Sequence, residues 1–162
     1  MKVYLEKAIF INRAPFNKLT LDFCENEIAV LSSVNGKGKT TILSHIVDAF
    51  HEMARPNFPN EFAGKENKFY RVSSALHNLD QSQPSFVYFR FKTAEETIDY
   101  LDVRNICTEA QYNEAISVEN KIPFSEIESG LKESYYVKKV SSNLNKKKAE
   151  GLFTNNILTY FP

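Results

Sequence analysis

The residues with the clearest chemical potential lie between positions 32 and 41, in the run SSVNGKGKTT. Backbone amides of a glycine-containing loop can point inward at phosphate oxygens, and a neighbouring lysine adds a positive charge. The pattern that does this is G-x-x-x-x-G-K-[ST]. The chain matches it at Gly38, Lys39 and Thr40 but carries Ser33 at the first glycine position. The run therefore predicts a phosphate-binding loop with one substituted position.

Each residue of the loop has an expected task. Lys39 is expected to reach the β- and γ-phosphates of a nucleotide, and the Thr40 hydroxyl to hold Mg²⁺, a cation that prefers oxygen ligands. Backbone amides are expected mainly from Asn35, Gly36, Lys37, Gly38 and Thr41. A serine at position 33 costs about 1 kcal/mol only if the backbone there needs a positive φ, so we expect weakened rather than abolished binding. The alternative is a strand-to-helix turn that binds nothing.

The segments on either side of the loop are of the type needed to position it. The apolar run from Glu27 to Leu31, EIAVL, has the profile of a buried strand. Apolar residues recur with helical spacing after the loop, at Ile42, Leu43, Ile46, Val47 and Phe50. That helix is expected to stop before Pro56. A strand, a loop and a helix in this order place the positive end of the helix at the phosphate.

Alternating polar and apolar residues predict two hairpins. The first has strands at 2–10 and 19–23 joined by NRAPFNK, and the second occupies 85–104. A polar segment with several prolines, 54–84, separates the loop helix from the second hairpin and is interpreted as a long loop.

Helical spacing returns in the last third of the chain. It predicts helices from Thr108 to Ile116, from Phe124 to Glu133 and from Val140 to Glu150. Ser125 and Glu128 have the spacing of a capping box. The final residues, NNILTYFP, are expected to form another strand.

These elements together predict an α/β fold: one lobe over 1–162 built around the phosphate-binding loop, with a mixed sheet, an antiparallel β-subdomain, the loop helix and a helical C-terminal region. Its expected parts are a hairpin, loop strand and helix at 1–53, the long loop at 54–84, the hairpin at 85–104, and helices with a terminal strand at 105–162.

Composition narrows the class of protein. A hydrophobic fraction of 43% with 25% charged residues is typical of a soluble globular chain, and no apolar run is long enough to cross a membrane. The N-terminus has no secretory-signal pattern, so a cytoplasmic location without membrane contact is expected. The formal net charge is zero, which argues against a dedicated nucleic-acid module. A local cluster at Lys138, Lys139 and 146–148 is interpreted as a solvated helical face, or alternatively as a contact to a phosphate backbone.

Cysteine and histidine offer no second kind of site. Cys24 and Cys107 stand alone and are expected to be packing residues. The histidines, His45, His51 and His77, lack the spacing of metal ligands. We therefore predict no catalytic residue on this chain and no metal ligand other than Thr40.

The motif NGKGKTT, preceded by a strand and by a hairpin at the N-terminus, resembles the SMC/RecF/OLD-type ATPases. These are ABC-like P-loop proteins whose loop commonly reads G-x-N-G-x-G-K-[ST]-[ST], and every defined position matches except Ser33. The resemblance implies ATP and Mg²⁺ as ligands. It also implies that Arg13, in the turn after the first strand, lies near the nucleotide as an extra cation; a solvated turn arginine is the alternative. Phe16 is expected either to stack on adenine or, preferably, to pack across the hairpin.

The resemblance further implies groups that this sequence does not contain. No hydrophobic run followed by Asp-Glu and no L-S-G-G-Q-like signature is present, and in the family both lie far downstream. We therefore expect the N-terminal part of a larger ATPase, in which hydrolysis needs the missing C-terminal half or another chain. Gln81, Gln83 and Gln111 are open candidates for the glutamine that senses Mg²⁺.

The biological setting implied by the resemblance is DNA repair or anti-phage defence. The expected partners are a second copy or a second ATPase lobe, with DNA or a nuclease as further possibilities. Two alternatives remain open at this point: a non-hydrolytic nucleotide-binding interaction module, and a small P-loop kinase.

Overall fold

The computed structural model describes residues 2–55, 78–116, 120–141, 147 and 150–152. Its strands are β1 (Val3–Arg13), β2 (Phe16–Asp22), β3 (Ser85–Thr93), β4 (Thr97–Arg104) and β5 (Tyr136–Val140). Its helices are α1 (Lys39–Ala54), α2 (Glu109–Ala115) and α3 (Glu128–Ser134), with a one-turn 3₁₀ helix at Phe124–Glu126. This mixture confirms the predicted α/β class.

The five strands form one sheet in the order β2-β1-β3-β4-β5, and every neighbouring pair is antiparallel. Both predicted hairpins are confirmed, as β1–β2 and β3–β4. They do not form separate units, because β3 pairs along most of β1, from Val3 opposite Thr93 to Ile11 opposite Phe86. The predicted mixed sheet with a separate antiparallel subdomain is therefore wrong for the described residues.

The segment before the glycine loop accounts for this difference. Residues 27–31 have no regular secondary structure, and the side chains of Ile28 and Val30 are 92% and 80% exposed. The prediction of a buried strand here is wrong. The side of β1 where such a strand would join the centre of the sheet is taken, because β1 pairs with β2 on one side and β3 on the other, and the segment does not pair with the edge strands β2 or β5 either. Apolar composition alone therefore did not bring this segment into the sheet.

The sheet has helices on both faces. The first face packs against α1 through a core that includes Phe10, Phe89, Tyr100, Ala49 and Met53. The second face packs against α2, the 3₁₀ turn and α3 through a core that includes Phe86, Val103, Tyr112, Ile127 and Leu131. Because both faces are covered, β3 is buried at almost every position instead of alternating between buried and exposed residues.

The loop helix and two of the later helices are found where they were predicted, but a predicted cap is wrong. The loop helix ends at Ala54, before Pro56 as predicted, and helices are present within the predicted segments at 108–116 and 124–133. The capping box at Ser125 is wrong, because Ser125 lies inside the 3₁₀ turn, whereas a capping residue needs an extended backbone. The capping box is found at Thr108 instead, where Thr108 Oγ1 accepts from the Gln111 backbone N–H at 3.2 Å.

The lysine cluster is also placed differently. The predicted helix start at Val140 is wrong, because Tyr136–Val140 forms β5 and strand alternation puts Lys138 and Lys139 on opposite faces. Lys138 is buried and its Nζ donates to Asp48 Oδ2 at 3.2 Å, so it is not part of a solvated face. Lys147 is exposed and helical. Lys146 and Lys148, residues 56–77 of the predicted long loop and the predicted terminal strand lie outside the described residues.

Candidate functional site

The glycine loop leads directly into the first turn of α1. Gly36 and Gly38 have φ values of +80° and +97°, a region that glycine enters without a steric penalty. Gly38 is the residue that precedes α1, and its carbonyl accepts from the Ile42 backbone N–H at 3.0 Å. Among the residues that the structure describes, no side chain caps the first turn of α1, and no acidic residue lies in that turn. The first amides of the helix and its positive end are therefore available to an anion.

Ser33 fits the loop without strain. Within the described ranges, the non-glycine residues with positive φ are Asn12, Asn26, Asn105 and Tyr135, and Ser33 is not one of them. The backbone conformation at Ser33 is thus open to any residue.

Lys39 is folded back over the beginning of the loop. Its Nζ donates to the carbonyl oxygen of Ser33 at 2.5 Å, to the Ser33 hydroxyl at 3.2 Å and to the carbonyl oxygen of Val34 at 3.3 Å. The serine hydroxyl is an acceptor that glycine could not supply. The substituted position of the motif is therefore compatible with a working lysine.

An open cleft of about 370 Å³ lies over the loop, within the size range of small-molecule sites. It is lined by Ala14, Pro15, Asn35, Gly36, Gly38, Lys39, Thr40 and Thr41. The cleft thus brings together most of the residues that the motif indicated. Ser33 reaches it only through Lys39, and Lys37 is exposed beside it.

Two residues of the lining were missed by sequence reasoning. Ala14 and Pro15 form the tip of the β1–β2 hairpin, about twenty positions before the loop. The resemblance placed this turn near the nucleotide through Arg13, but no spacing or motif in the sequence indicates Ala14 or Pro15 themselves. Only the packing of the hairpin on the first turn of α1 brings them together.

Phe16, directly after this turn, holds the hairpin against the loop. Its ring packs on Phe10 at a centroid distance of 5.2 Å. A Cβ atom on Gly38 would come within 2.8 Å of Phe16 Cε1 and of Pro15 Cγ, and closer still to Phe16 Cζ. Position 38 thus needs glycine for close approach as well as for its φ angle. The packing interpretation of Phe16 is supported over stacking on adenine.

Arg13 lies in the sheet core and does not line the cleft. Its side chain is fully buried, Nη2 donates to Asp102 Oδ1 at 2.7 Å, and Nε donates to Ser85 Oγ at 3.1 Å. Arg13 is therefore not placed to contact a nucleotide in the cleft, and the alternative of a solvated turn arginine is wrong as well. Burial raises the pKa of Asp102, but the adjacent Arg13 guanidinium outweighs this and holds that pKa well below its usual range.

His45 lies on the face of α1 that packs against the same buried polar groups. Its side chain is fully buried, with its ring against Phe10 at a centroid distance of 5.7 Å. Burial lowers the pKa of His45 to about 3, so the imidazole is neutral at neutral pH. The described part of the chain contains no group of three or more His, Cys, Asp or Glu residues that could hold a metal ion.

The remaining candidates have local roles. Gln81 Nε2 donates to the Asn78 carbonyl at 2.6 Å, Gln111 belongs to the capping box of α2, and the Gln83 carbonyl accepts from Asn12 Nδ2 at 3.2 Å. None of these glutamines lines the cleft, so the Mg²⁺-sensing residue stays unassigned. Cys24 is exposed and Cys107 is buried. His77 lies outside the described residues.

A helix that begins at a glycine loop and packs on a sheet is compatible with a P-loop ATPase-like domain. A comparison with protein families matches residues 10–162 to the AAA domain family. The match spans nearly the whole sequence, and the chain belongs to this family. Comparisons with curated proteins and with solved structures each gave no match. Among the described helices, none is long and apolar enough to span a membrane.

Proposed function

We propose that this chain binds ATP with Mg²⁺ in the cleft over the glycine loop. The observation that carries the proposal is the uncapped first turn of α1, with Gly36 and Gly38 at positive φ and Lys39 held over the loop. Membership of the AAA domain family supports a nucleotide as the anion. Within that family, the motif NGKGKTT and the N-terminal hairpin favour the N-terminal lobe of an SMC/RecF/OLD-type ATPase.

The loop residues would bind the phosphates in two ways, through the charge of a lysine and through backbone amides. The Lys39 ammonium would exchange its bonds to the carbonyls of Ser33 and Val34 for charge-assisted bonds to phosphate oxygens. The amides at the start of α1 would donate to the same phosphates. Thr40 would supply a hydroxyl oxygen to Mg²⁺, whose charge offsets that of the phosphates when it is bound.

The proposal is limited to binding because, in the part of the chain that the structure describes, no residue that lines the cleft carries a carboxylate. We propose that hydrolysis needs an acidic residue from another segment or another chain, brought by a second copy or a second ATPase lobe. DNA repair or anti-phage defence in the cytoplasm, with DNA or a nuclease as partner, is the setting that the motif resemblance favours. A chain that binds ATP but never hydrolyses it would instead be a nucleotide-binding interaction module.

Titration with a fluorescent ATP analogue in the presence of Mg²⁺ tests the binding proposal. Lys39→Ala is expected to weaken binding at least tenfold, because the variant loses the positive charge at the phosphates; tenfold corresponds to about 1.4 kcal/mol. Lys18→Ala is the matched control, since Lys18 is an exposed lysine on β2 outside the cleft. The proposal fails if the wild type does not bind at millimolar nucleotide, or if Lys39→Ala binds as well as the wild type.

Ser33→Gly restores the common form of the motif. We expect its affinity for ATP to stay within about threefold of the wild type, because Ser33 has no positive φ that glycine would relieve. The same titration measures it. An affinity increase of tenfold or more would show that the serine does strain or obstruct the loop.

A further inference from the structure

The turn between β1 and β2 forms one wall of the proposed nucleotide cleft. Ala14 and Pro15 line the cleft, and Pro15 and Phe16 approach Gly38 so closely that a Cβ atom there would clash. Any displacement of the turn therefore changes the space in which the loop backbone sits. The contacts that hold the turn in place therefore also affect the conformation of the glycine loop.

The residue before the turn is anchored in the interior of the protein. Arg13 is 0% exposed, and its guanidinium bonds to Ser85 at the start of β3 and to Asp102 near the end of β4. Asp102 is also 0% exposed, and its second oxygen accepts from the Tyr136 hydroxyl of β5 at 3.1 Å. This one carboxylate thus links the end of β1 to β4 and β5, and Arg13 itself adds the bond to β3.

The neighbouring residue holds the opposite side of the same strand end. Asn12 has a φ of +50°, and its side-chain amide donates to the carbonyls of Asp80, Gln83 and Pro84 at 2.9 to 3.2 Å. Its side-chain oxygen accepts from the Asp80 backbone N–H at 2.8 Å. A residue in this strained region persists only when its surroundings determine it strongly. The direction in which the chain enters the turn is therefore set by contacts on both sides.

The helix that follows the loop is tied to the same buried layer. Lys138 of β5 donates to Asp48 of α1 at 3.2 Å, and both side chains are 0% exposed. Lys138 lies opposite Asp102 in the register of β4 and β5. The turn and helix α1, which enclose the loop between them, are thus both bonded to buried polar groups at or beside Asp102.

We propose that the buried Arg13–Asp102 ion pair is a positioning device for the glycine loop. It holds the turn from Ala14 to Phe16 against Gly38 and so raises the affinity for nucleotide without touching it. The inference rests on the proposed ATP binding. Its physical basis is pre-organisation: a loop already held in its binding shape loses less conformational freedom when the ligand arrives.

The test compares two buried carboxylates on β4. Asp102→Asn removes the charge that Arg13 faces, while Asp99→Asn removes the partner of Arg90, which donates to Asp99 at 2.9 and 3.2 Å. Asp99 is also 0% exposed, but it lies on the opposite face of the sheet, where its carboxylate accepts from Arg90 and from the Lys121 backbone N–H. The pair is thus matched in strand, burial and chemistry.

We expect both variants to lower the melting temperature, because each leaves a buried arginine without its carboxylate. At a temperature where circular dichroism shows both variants folded, Asp102→Asn is expected to bind ATP at least tenfold more weakly. Asp99→Asn is expected to bind within twofold of the wild type. Amide hydrogen exchange over residues 33–41, measured without nucleotide, is expected to accelerate in Asp102→Asn alone. Equal effects of the two substitutions on affinity and on exchange would overturn the positioning role.

The exchange measurement also separates this inference from the proposed function. If the wild type does not bind ATP but only Asp102→Asn accelerates exchange in the loop, ATP binding is wrong and the positioning role stands. If Asp102→Asn does not fold, Arg13→Lys replaces it in both measurements. A single ammonium keeps the charge but cannot reproduce the two directed bonds to Ser85 and Asp102. Wild-type affinity and wild-type loop exchange in Arg13→Lys would overturn the role.

Discussion

Alanine at Gly38 is expected to lower the free energy of unfolding by about 2–4 kcal/mol and to weaken ATP binding at least a hundredfold. Two costs add at this position. The φ of +97° is strained for any residue with a Cβ, at about 1 kcal/mol. The Cβ would also overlap Phe16 and Pro15, and overpacking of this kind costs about 1–3 kcal/mol. Relief of the clash must move either the loop or the turn, and both line the cleft.

Gly36 provides the matched control. Its φ of +80° is strained in the same way, but no atom of the described residues, apart from its chain neighbours, lies within 4 Å of an added Cβ. Gly36→Ala is therefore expected to lose only about 1 kcal/mol of stability. Urea denaturation and the nucleotide titration measure both variants side by side. Equal losses at the two positions would show that the hairpin turn does not press on the loop.

The stability of the protein is expected to fall by about 2–3 kcal/mol when the pH drops from about 7 to about 4.5, with His45 as the cause. Burial lowers the pKa of His45 from 6.5 to about 3 in the folded state. Between these values the unfolded chain binds a proton that the folded chain does not. Stability therefore rises with pH in this window and is lost as the pH falls from about 6.5 towards 3.

The charged groups around His45 do not reverse this expectation. Asp102 favours the protonated ring, whereas Arg13, Lys138 and Arg104 oppose it, and burial is the largest effect. The pKa of Asp102 is itself lowered, so its own stabilising contribution is lost only when the pH falls below the ordinary carboxyl range, about 4. Between pH 7 and about 4.5 the titration of Asp102 therefore adds little to the pH dependence of stability.

Urea denaturation at several pH values between about 7 and 4.5 checks this prediction. His45→Leu removes the titrating ring and is expected to flatten the curve in this range. His51→Leu, on the same helix but only partly buried, is the control and should leave most of the slope in place. A slope that persists in His45→Leu would assign the pH dependence to other groups.

The glycine loop, the helix after it, both hairpins and the helices at 108–116 and 124–133 were predictable from the sequence. Each depends on neighbouring residues: glycines at the positive-φ positions, a helical apolar stripe, or period-two alternation. The physical cause of each of these elements lies in residues that are close together in the sequence. The types and spacing of a few residues therefore sufficed to place the glycine loop at the start of a helix.

The surroundings of the loop were decided only by the tertiary structure. Arg13 and Asp102 are 89 positions apart, and no pattern in the sequence pairs them. Lys138 belongs to a lysine cluster in the sequence, yet lies buried against Asp48. The apolar segment 27–31 reads as a buried strand, yet it is not part of the sheet. The sequence by itself determined which secondary structure most segments form. Burial, ion pairing and the wall of the cleft depended on which distant segments pack together, because the free energies of packing and of ion pairing arise only where the two segments are in contact.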